Sequence, residues 1–336
     1  MNDNQIILGQ HDGRSAAAWM VAGRLHDLLI DAPGDIPAPG SVFRAVCDRP
    51  VKGQGGMFVN LGNGLTGWHR NAKGLVPGQE LLVQVTGHAE AGKAVPVTDR
   101  VLFKSRYCIV TPGAPGLNVA RSLRDDDERD RLLEIAHDVL PEDRGTSGVI
   151  LRTAAEAVAA DVLEADLADT WAVAQQVLGD PGKGAEHLLD GPDAHTLAWR
   201  DWPFAEVIED WDIVLDQLDA LRQPEVVAGA ATFYIEPTRA LVAVDVNTPE
   251  GGSAGGFRAN LALAKELPRQ LRLRGLGGQI VLDLAPMPKK DRKGWEAALR
   301  SALRDDSVET SLIGWTPLGH FELTRRRERR PLEDLL

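Results

Sequence analysis

Apolar residues near the N-terminus fall in short runs, Gln5-Ile6-Ile7-Leu8 and then 16–21, ending at the breaker Asp31-Ala32-Pro33-Gly34. This pattern predicts a small β-meander. From 40 to 105, runs at 42–46, 56–61, 81–85 and 95–101 are punctuated by Gly62-Asn63-Gly64 and Val76-Pro77-Gly78. Short strands so spaced predict a small five-stranded Greek-key barrel of the OB type. A strand at 107–110, a charged helix at 122–140, a strand at 148–151 and an Ala-rich helix at 154–167 follow, the last with Thr153 placed to cap it. Between 180 and 227, Gly/Pro/Asp-rich breaks surround one clear helix at 211–221.

The last segment carries the chemistry. Residues 231–235 and 240–244 read as a hairpin turning at 236–238, and Asp245 and Asn247 share one face where its second strand runs out. A Gly-rich loop at 251–256, a helix at 257–274 and a buried-type strand at 279–282 ending in Asp283 complete a strand–helix–strand unit. Such a unit implies parallel neighbours joined by a right-handed crossover. Asp283 would then stand near Asp245 at the carboxyl ends of adjacent strands, where α/β sheets hold their sites. Two carboxylates and an amide oxygen are hard donors suited to Mg²⁺, with Mn²⁺ as the alternative. A lone Asp at a strand end is more often a turn cap; the matched pair with Asn247 favours a site.

Composition narrows the classes. The chain has 336 residues, 43% hydrophobic and 26% charged, which excludes a wholly disordered chain and suggests two or three folded units. No apolar run approaches the ~20 residues of a membrane helix, and the polar start MNDNQIILGQ is unlike a signal peptide, so a cytoplasmic protein with no membrane partner is expected. Cys47 and Cys108 stand far apart, excluding a disulfide framework or a four-cysteine zinc site within the chain. The net charge of −12 argues against non-specific nucleic-acid binding by the whole chain. Three basic clusters nevertheless point to a local polyanion partner: Arg269, Arg272 and Arg274; Lys289, Lys290, Arg292 and Lys293; and the run from Arg325 to Arg330. Phe58 and Trp68 on adjacent strands could stack on bases or equally fill the barrel core. Arg152 beside Thr153 could form an anion pocket, although a cap next to a surface arginine is commoner.

The runs IEPTRALVAVDVNT (235–248) and RQLRLRGLGGQIVLD (269–283), with Phe58-Val59, Gly67-Trp68 and Gly319-His320-Phe321-Glu322-Leu323-Thr324-Arg325, resemble the RNase E/G endoribonucleases. The resemblance runs along nearly the whole chain. It implies an α+β multidomain protein: an RNase H-like domain (1–38 and 181–227) split by an S1 (OB-fold) domain (39–105) and a 5′-sensor region (106–180), followed by a DNase I-like catalytic domain (228–336). It implies metal-binding Asp245 and Asp283 supported by Asn247, RNA contacts from Phe58, Trp68 and Lys93, and a 5′-monophosphate sensor at Arg152 and Thr153.

The chain also departs from that family's pattern. No Cys-Pro-x-Cys zinc link follows the catalytic segment, so neither zinc nor a zinc-linked oligomer is expected, leaving a monomer or a non-zinc dimer. Ser105 and Ile109 stand at sensor positions that are Gly and Val in the family, which implies altered 5′-end sensing. Pro268 lies within the expected helix, and the loop 249–256 is shorter than usual. The expected function is a Mg²⁺-dependent endoribonuclease that cuts single-stranded RNA in mRNA decay or in rRNA and tRNA maturation. The alternatives are a catalytically weakened RNA-binding paralogue and a hydrolase of DNA or small phosphodiesters.

Overall fold

A computed structural model describes residues 4–34, 36–51, 53, 55–71, 73–89, 92–229, 231–248 and 253–336. The chain divides into two compact units, one of Asp35–Pro203 and one joining Met1–Gly34 to Phe204–Leu336.

The first unit holds the expected barrel. Val42–Pro50 pairs with Met57–Gly62, then come Leu65–His69, Val95–Thr98 and Glu80–Val85, and the last of these pairs back onto Val42–Pro50 to close the ring. Alternation decides which side chains fill it: Met57, Val59 and Leu61 are buried while Phe58 and Asn60 face outward. Beside the barrel, strands Gly116–Val119, Gly148–Leu151, Cys108–Thr111 and Phe103–Lys104 form a second sheet. Helices Asp126–Val139 and Ala160–Leu178 share a core with it through Leu132, Leu151, Leu163 and Leu167. The first of these helices is capped by the Asp125 carboxylate, which accepts from the Glu128 N–H.

The helix expected at 154–167 instead spans Ala160–Leu178, and residues Thr153–Ala155 make a single 3₁₀ turn. Ala157 adopts a left-handed φ of 50–60°, at 58°, with its N–H donated to Glu128 Oε1 at 2.8 Å. That contact across the fold breaks the Ala-rich run before it can become one helix. Thr153 therefore does not cap it; the N-cap position is Ala159, with no side-chain cap bond. The stretch 181–227 is shared between the units. Glu186–Leu189 adds to the barrel strand Val42–Pro50, whereas Glu206–Ile208 adds in parallel to Asn4–His11.

In the second unit, strands Asn4–His11, Arg14–Val21 and Arg24–Ile30 form the predicted meander. Its turns, Asp12-Gly13 and Ala22-Gly23, have positive φ at both positions, the twist that two-residue hairpins favour. Helix Asp212–Arg222 buries Val214, Leu218 and Leu221 in a core with Ile7, Met20 and Leu25. A six-stranded sheet follows in the order Glu225–Ala228, Ala231–Pro237, Val242–Asn247, Gly278–Asp283, Phe321–Arg325, Thr310–Trp315. Its two central strands are parallel and joined through helix Ser253–Leu273. Phe233, Val244, Leu263, Leu267, Ile280, Leu282 and Trp295 pack its core.

The hairpin turn falls at 238–241, later than the expected 236–238, because the Thr238 hydroxyl donates to the Leu241 carbonyl and accepts from the Ala240 and Leu241 amides. Gly255 and Gly256 belong to the helix, not to a loop, and residues 249–252 of the expected loop lie outside the described residues. Gly256 is required by close approach: a Cβ there would stand 2.2 Å from the Pro286 carbonyl oxygen. Pro268 is accommodated inside this helix. The helix ends on Gly275 at φ +63°, with Leu276 N–H bonded to the Leu271 carbonyl and Gly275 N–H to that of Arg272.

Two of the three basic clusters prove structural in whole or large part. Asp306 accepts from Arg272 at 2.6 Å and from Arg325 at 3.0 Å, all three side chains being buried. Asp27 pairs with Arg329 and lies 3.6 Å from Arg272. Burial alone would raise the Asp27 pKa, but the Arg329 and Arg272 charges prevail and hold it below the usual carboxylate range. Arg269 is taken by Glu266, and Arg274 by Gln270 and the Gln223 carbonyl. These arginines brace the fold instead of forming the polyanion surface that their clustering suggested. Among the described residues, no helix is long and apolar enough to cross a membrane.

Candidate active site

The parallel pair brings the two predicted aspartates together. Val244 lies opposite Leu282 and Asp245 opposite Asp283, in register. Val242, Val244 and Val246 are buried along one strand, and Ile280 and Leu282 along the other. Period-two alternation therefore turns Asp245, Asn247 and Asp283 to the opposite, exposed face. Neighbouring strands run about 4.8 Å apart, so the two carboxylates rise side by side.

Asn247 Nδ2 donates to Asp245 Oδ2 at 2.8 Å, which restricts the carboxylate and leaves the amide oxygen available. Beyond Asp283 the chain is pinned by the buried Asn260, which donates to the Ala285 carbonyl at 2.8 Å and accepts from its N–H at 3.0 Å. One group escaped the sequence reading: His320 Nδ1 lies 3.3 Å from Asp283 Oδ1. His320 immediately precedes Phe321, which pairs with Leu282, so the antiparallel neighbour delivers it to the site. The histidine was visible in the Gly319–Arg325 run, but nothing local showed which strand would lie beside it.

The donor set fits a hard divalent ion. Mg²⁺ is commonly bound by one or two carboxylates plus waters and substrate phosphate, and two exposed aspartates leave room for both. Among the described residues, no group of three or more His, Cys, Asp or Glu is arranged to hold a metal. An ion here would rest on the aspartate pair, with the Asn247 oxygen and water.

On the barrel, Phe58 and Trp68 sit directly opposite each other across the hairpin, ring centroids 4.9 Å apart at 62°. Phe58 is 40% exposed, so the pair lies on the outer face and does not fill the core. Gly56 makes room for the indole, since a Cβ there would stand 2.5 Å from Trp68 Cζ2. Lys93 is exposed and leads into Val95–Thr98, the strand that places Pro96 beside Trp68.

At the positions expected to meet a 5′-phosphate, Arg152 donates to the Ser105 carbonyl at 2.6 Å and to Asp201 Oδ1 at 2.9 Å. Burial would raise the Asp201 pKa, yet Arg200 and Arg152 together hold it low. The Thr153 hydroxyl is hydrogen-bonded to that of Ser122 at 2.6 Å, and the Ser105 hydroxyl donates to Asp166. Arg152 and Thr153 open the single 3₁₀ turn Thr153–Ala155, not the long helix expected to start there.

The sequence profile of the Ribonuclease E/G family matches residues 103–209 and 204–328. Ribonuclease G of Salmonella typhimurium is 25% identical, the alignment covering 99% of this chain and 81% of the relative. Ribonuclease E of Synechocystis is 24% identical over 98% of this chain and 58% of its own length. For Ribonuclease E of Escherichia coli the values are 25%, 90% and 35%. With its profile matched over most of its length, the chain belongs to the ribonuclease E/G family.

Proposed function

We propose that this chain is a divalent-metal-dependent endoribonuclease that hydrolyses single-stranded RNA at Asp245 and Asp283. The observation that carries the reading is the in-register pair of exposed aspartates on neighbouring parallel strands, one of them bonded to Asn247, in a member of this family. A bound Mg²⁺ or Mn²⁺ would polarise a phosphoryl oxygen and lower the pKa of a bound water. Asp245 and Asp283 supply the anionic oxygens for it, and Asn247 keeps Asp245 in one orientation. His320 Nδ1 stands 3.3 Å from Asp283 Oδ1 on the neighbouring strand.

Phe58 and Trp68 offer stacking faces to unpaired bases, with Lys93 contributing positive charge near the backbone. At the sensor position, a 5′-monophosphate would have to displace Asp201 from Arg152, so end-sensing by Arg152 and Thr153 requires that ion pair to open. A binding-only paralogue would have no chemical need for the Asp245, Asn247 and Asp283 set, which favours the nuclease.

The test is cleavage of a 5′-monophosphorylated A/U-rich oligonucleotide by the purified chain. Internal cuts are expected with Mg²⁺ or Mn²⁺ and none in EDTA; cuts that persist in EDTA, or none with either ion, refute the reading. Phe58→Ala is expected to weaken binding of an uncleaved single strand by roughly ten- to a hundredfold, since stacking contributes about 1–3 kcal/mol per base. Fluorescence anisotropy measures this, and unchanged affinity would remove the aromatic pair from the RNA path.

A further inference from the structure

Close to the aspartate pair, an arginine stands in a setting that metal binding does not account for. Arg292 opens helix Arg292–Arg304, and its guanidinium carbon lies 3.8 Å from the centre of the Trp315 ring. The indole beneath is fixed in place. Its N–H donates to Glu296 Oε1 at 2.6 Å, and its ring meets Phe321 edge-on at 5.3 Å and 75°.

Among the described residues, Arg292 has no ion-pair carboxylate, and its buried Nε has no hydrogen-bond partner. Arg269, Arg272, Arg325 and Arg329 in the same unit each meet an Asp or Glu. The tip of Arg292 reaches the turn between the last two strands: a Cβ on Gly319 would stand 3.9 Å from Nη2. Gly319 is followed by His320, which touches Asp283.

Resting on the nuclease reading above, we propose that Arg292, held flat on Trp315, binds a backbone phosphate of RNA lying across the Asp245–Asp283 site. A guanidinium is a planar fork matched to phosphate oxygens, and stacking on an aromatic ring orients it before the ligand arrives. The fork is thus left with unused donors, one of them shielded from water, beside a site that handles phosphodiesters. A role confined to covering Trp315 would need only the aliphatic stem and flat contact, without ionic donors to spare. Lys293, exposed on the same helix, and Lys289 and Lys290, exposed on the 3₁₀ turn that precedes it, add positive potential for the strand's approach.

The 336-residue chain and its variants R292Q and R292K are compared in two measurements. One is steady-state cleavage of a single-stranded oligonucleotide with Mg²⁺. The other is binding of that oligonucleotide in EDTA across a salt series. For R292Q, KM is expected to rise about tenfold with kcat within about threefold, as when an interaction common to ground and transition states is lost. The slope of log affinity against log salt is expected to fall by about 0.7, one phosphate contact on a single strand. R292K keeps the charge and loses the fork, so its KM should fall between those of R292Q and the parent.

EDTA-sensitive cleavage with KM and salt slope unchanged in R292Q overturns the phosphate site and leaves the nuclease reading standing. Absence of cleavage by the parent chain refutes the nuclease reading instead; the salt slope then still decides whether Arg292 meets a phosphate, a smaller slope in R292Q supporting it and an equal one overturning it. Should R292Q fail to give the parent's melting curve, R292K carries the same test, with an unchanged KM overturning the proposal.

Discussion

Alanine at Asp283 or at Asp245 is expected to reduce RNA cleavage by roughly a thousandfold or more. A dication at a phosphoryl centre contributes several kcal/mol, and each ~1.4 kcal/mol is a factor of ten. Both side chains are exposed, so neither substitution opens a cavity in the core, and the melting temperature should move by no more than a few degrees. Asn247→Ala is expected to cost less, about ten- to a hundredfold, because Asn247 orients Asp245 instead of replacing it. Single-turnover cleavage alongside circular-dichroism melting checks this. Either alanine variant cutting at more than a tenth of the parent rate would remove that aspartate from the chemistry.

The largest expected effect on stability lies elsewhere, at Asp306. Its carboxylate is fully buried between Arg272 and Arg325, themselves 7% and 1% exposed. Removing one member of such a network leaves charge buried without compensation, so Asp306→Ala is expected to cost about 3–5 kcal/mol. The anchors explain why the effect is not local. Arg272 sits on the helix that joins the two aspartate strands and also donates to the His26 carbonyl of the N-terminal meander, while Arg325 sits on the strand next to Asp283. Urea denaturation of the full chain measures the loss. A cost below about 1 kcal/mol would mean that the two guanidinium groups find water or other partners when the carboxylate is gone.

The local content of the sequence was enough for the short strands, the turns of the N-terminal meander and the parallel strand–helix–strand unit, because alternation and turn residues act over a few positions. It was enough as well to set Asp245 and Asn247 on one face, since that depends only on period-two geometry within a strand. The pairing of Asp245 with Asp283 was inferred from the handedness of the connection and appears in the register.

Long-range contacts decided the rest. Ala157 leaves the helical region where its N–H reaches Glu128, and Gly256 is tolerated in a helix because Pro286 comes too close for a side chain. Clustered arginines read alike along the chain, yet Arg272 and Arg325 share the buried Asp306 carboxylate whereas Arg292 rests on Trp315 without a carboxylate. His320 reaches Asp283 only because its strand runs antiparallel beside that of Asp283. Periodicity and propensity are properties of neighbouring residues, so they specify elements and faces; which charge meets which is set by sheet order and packing, and only the folded chain supplies those.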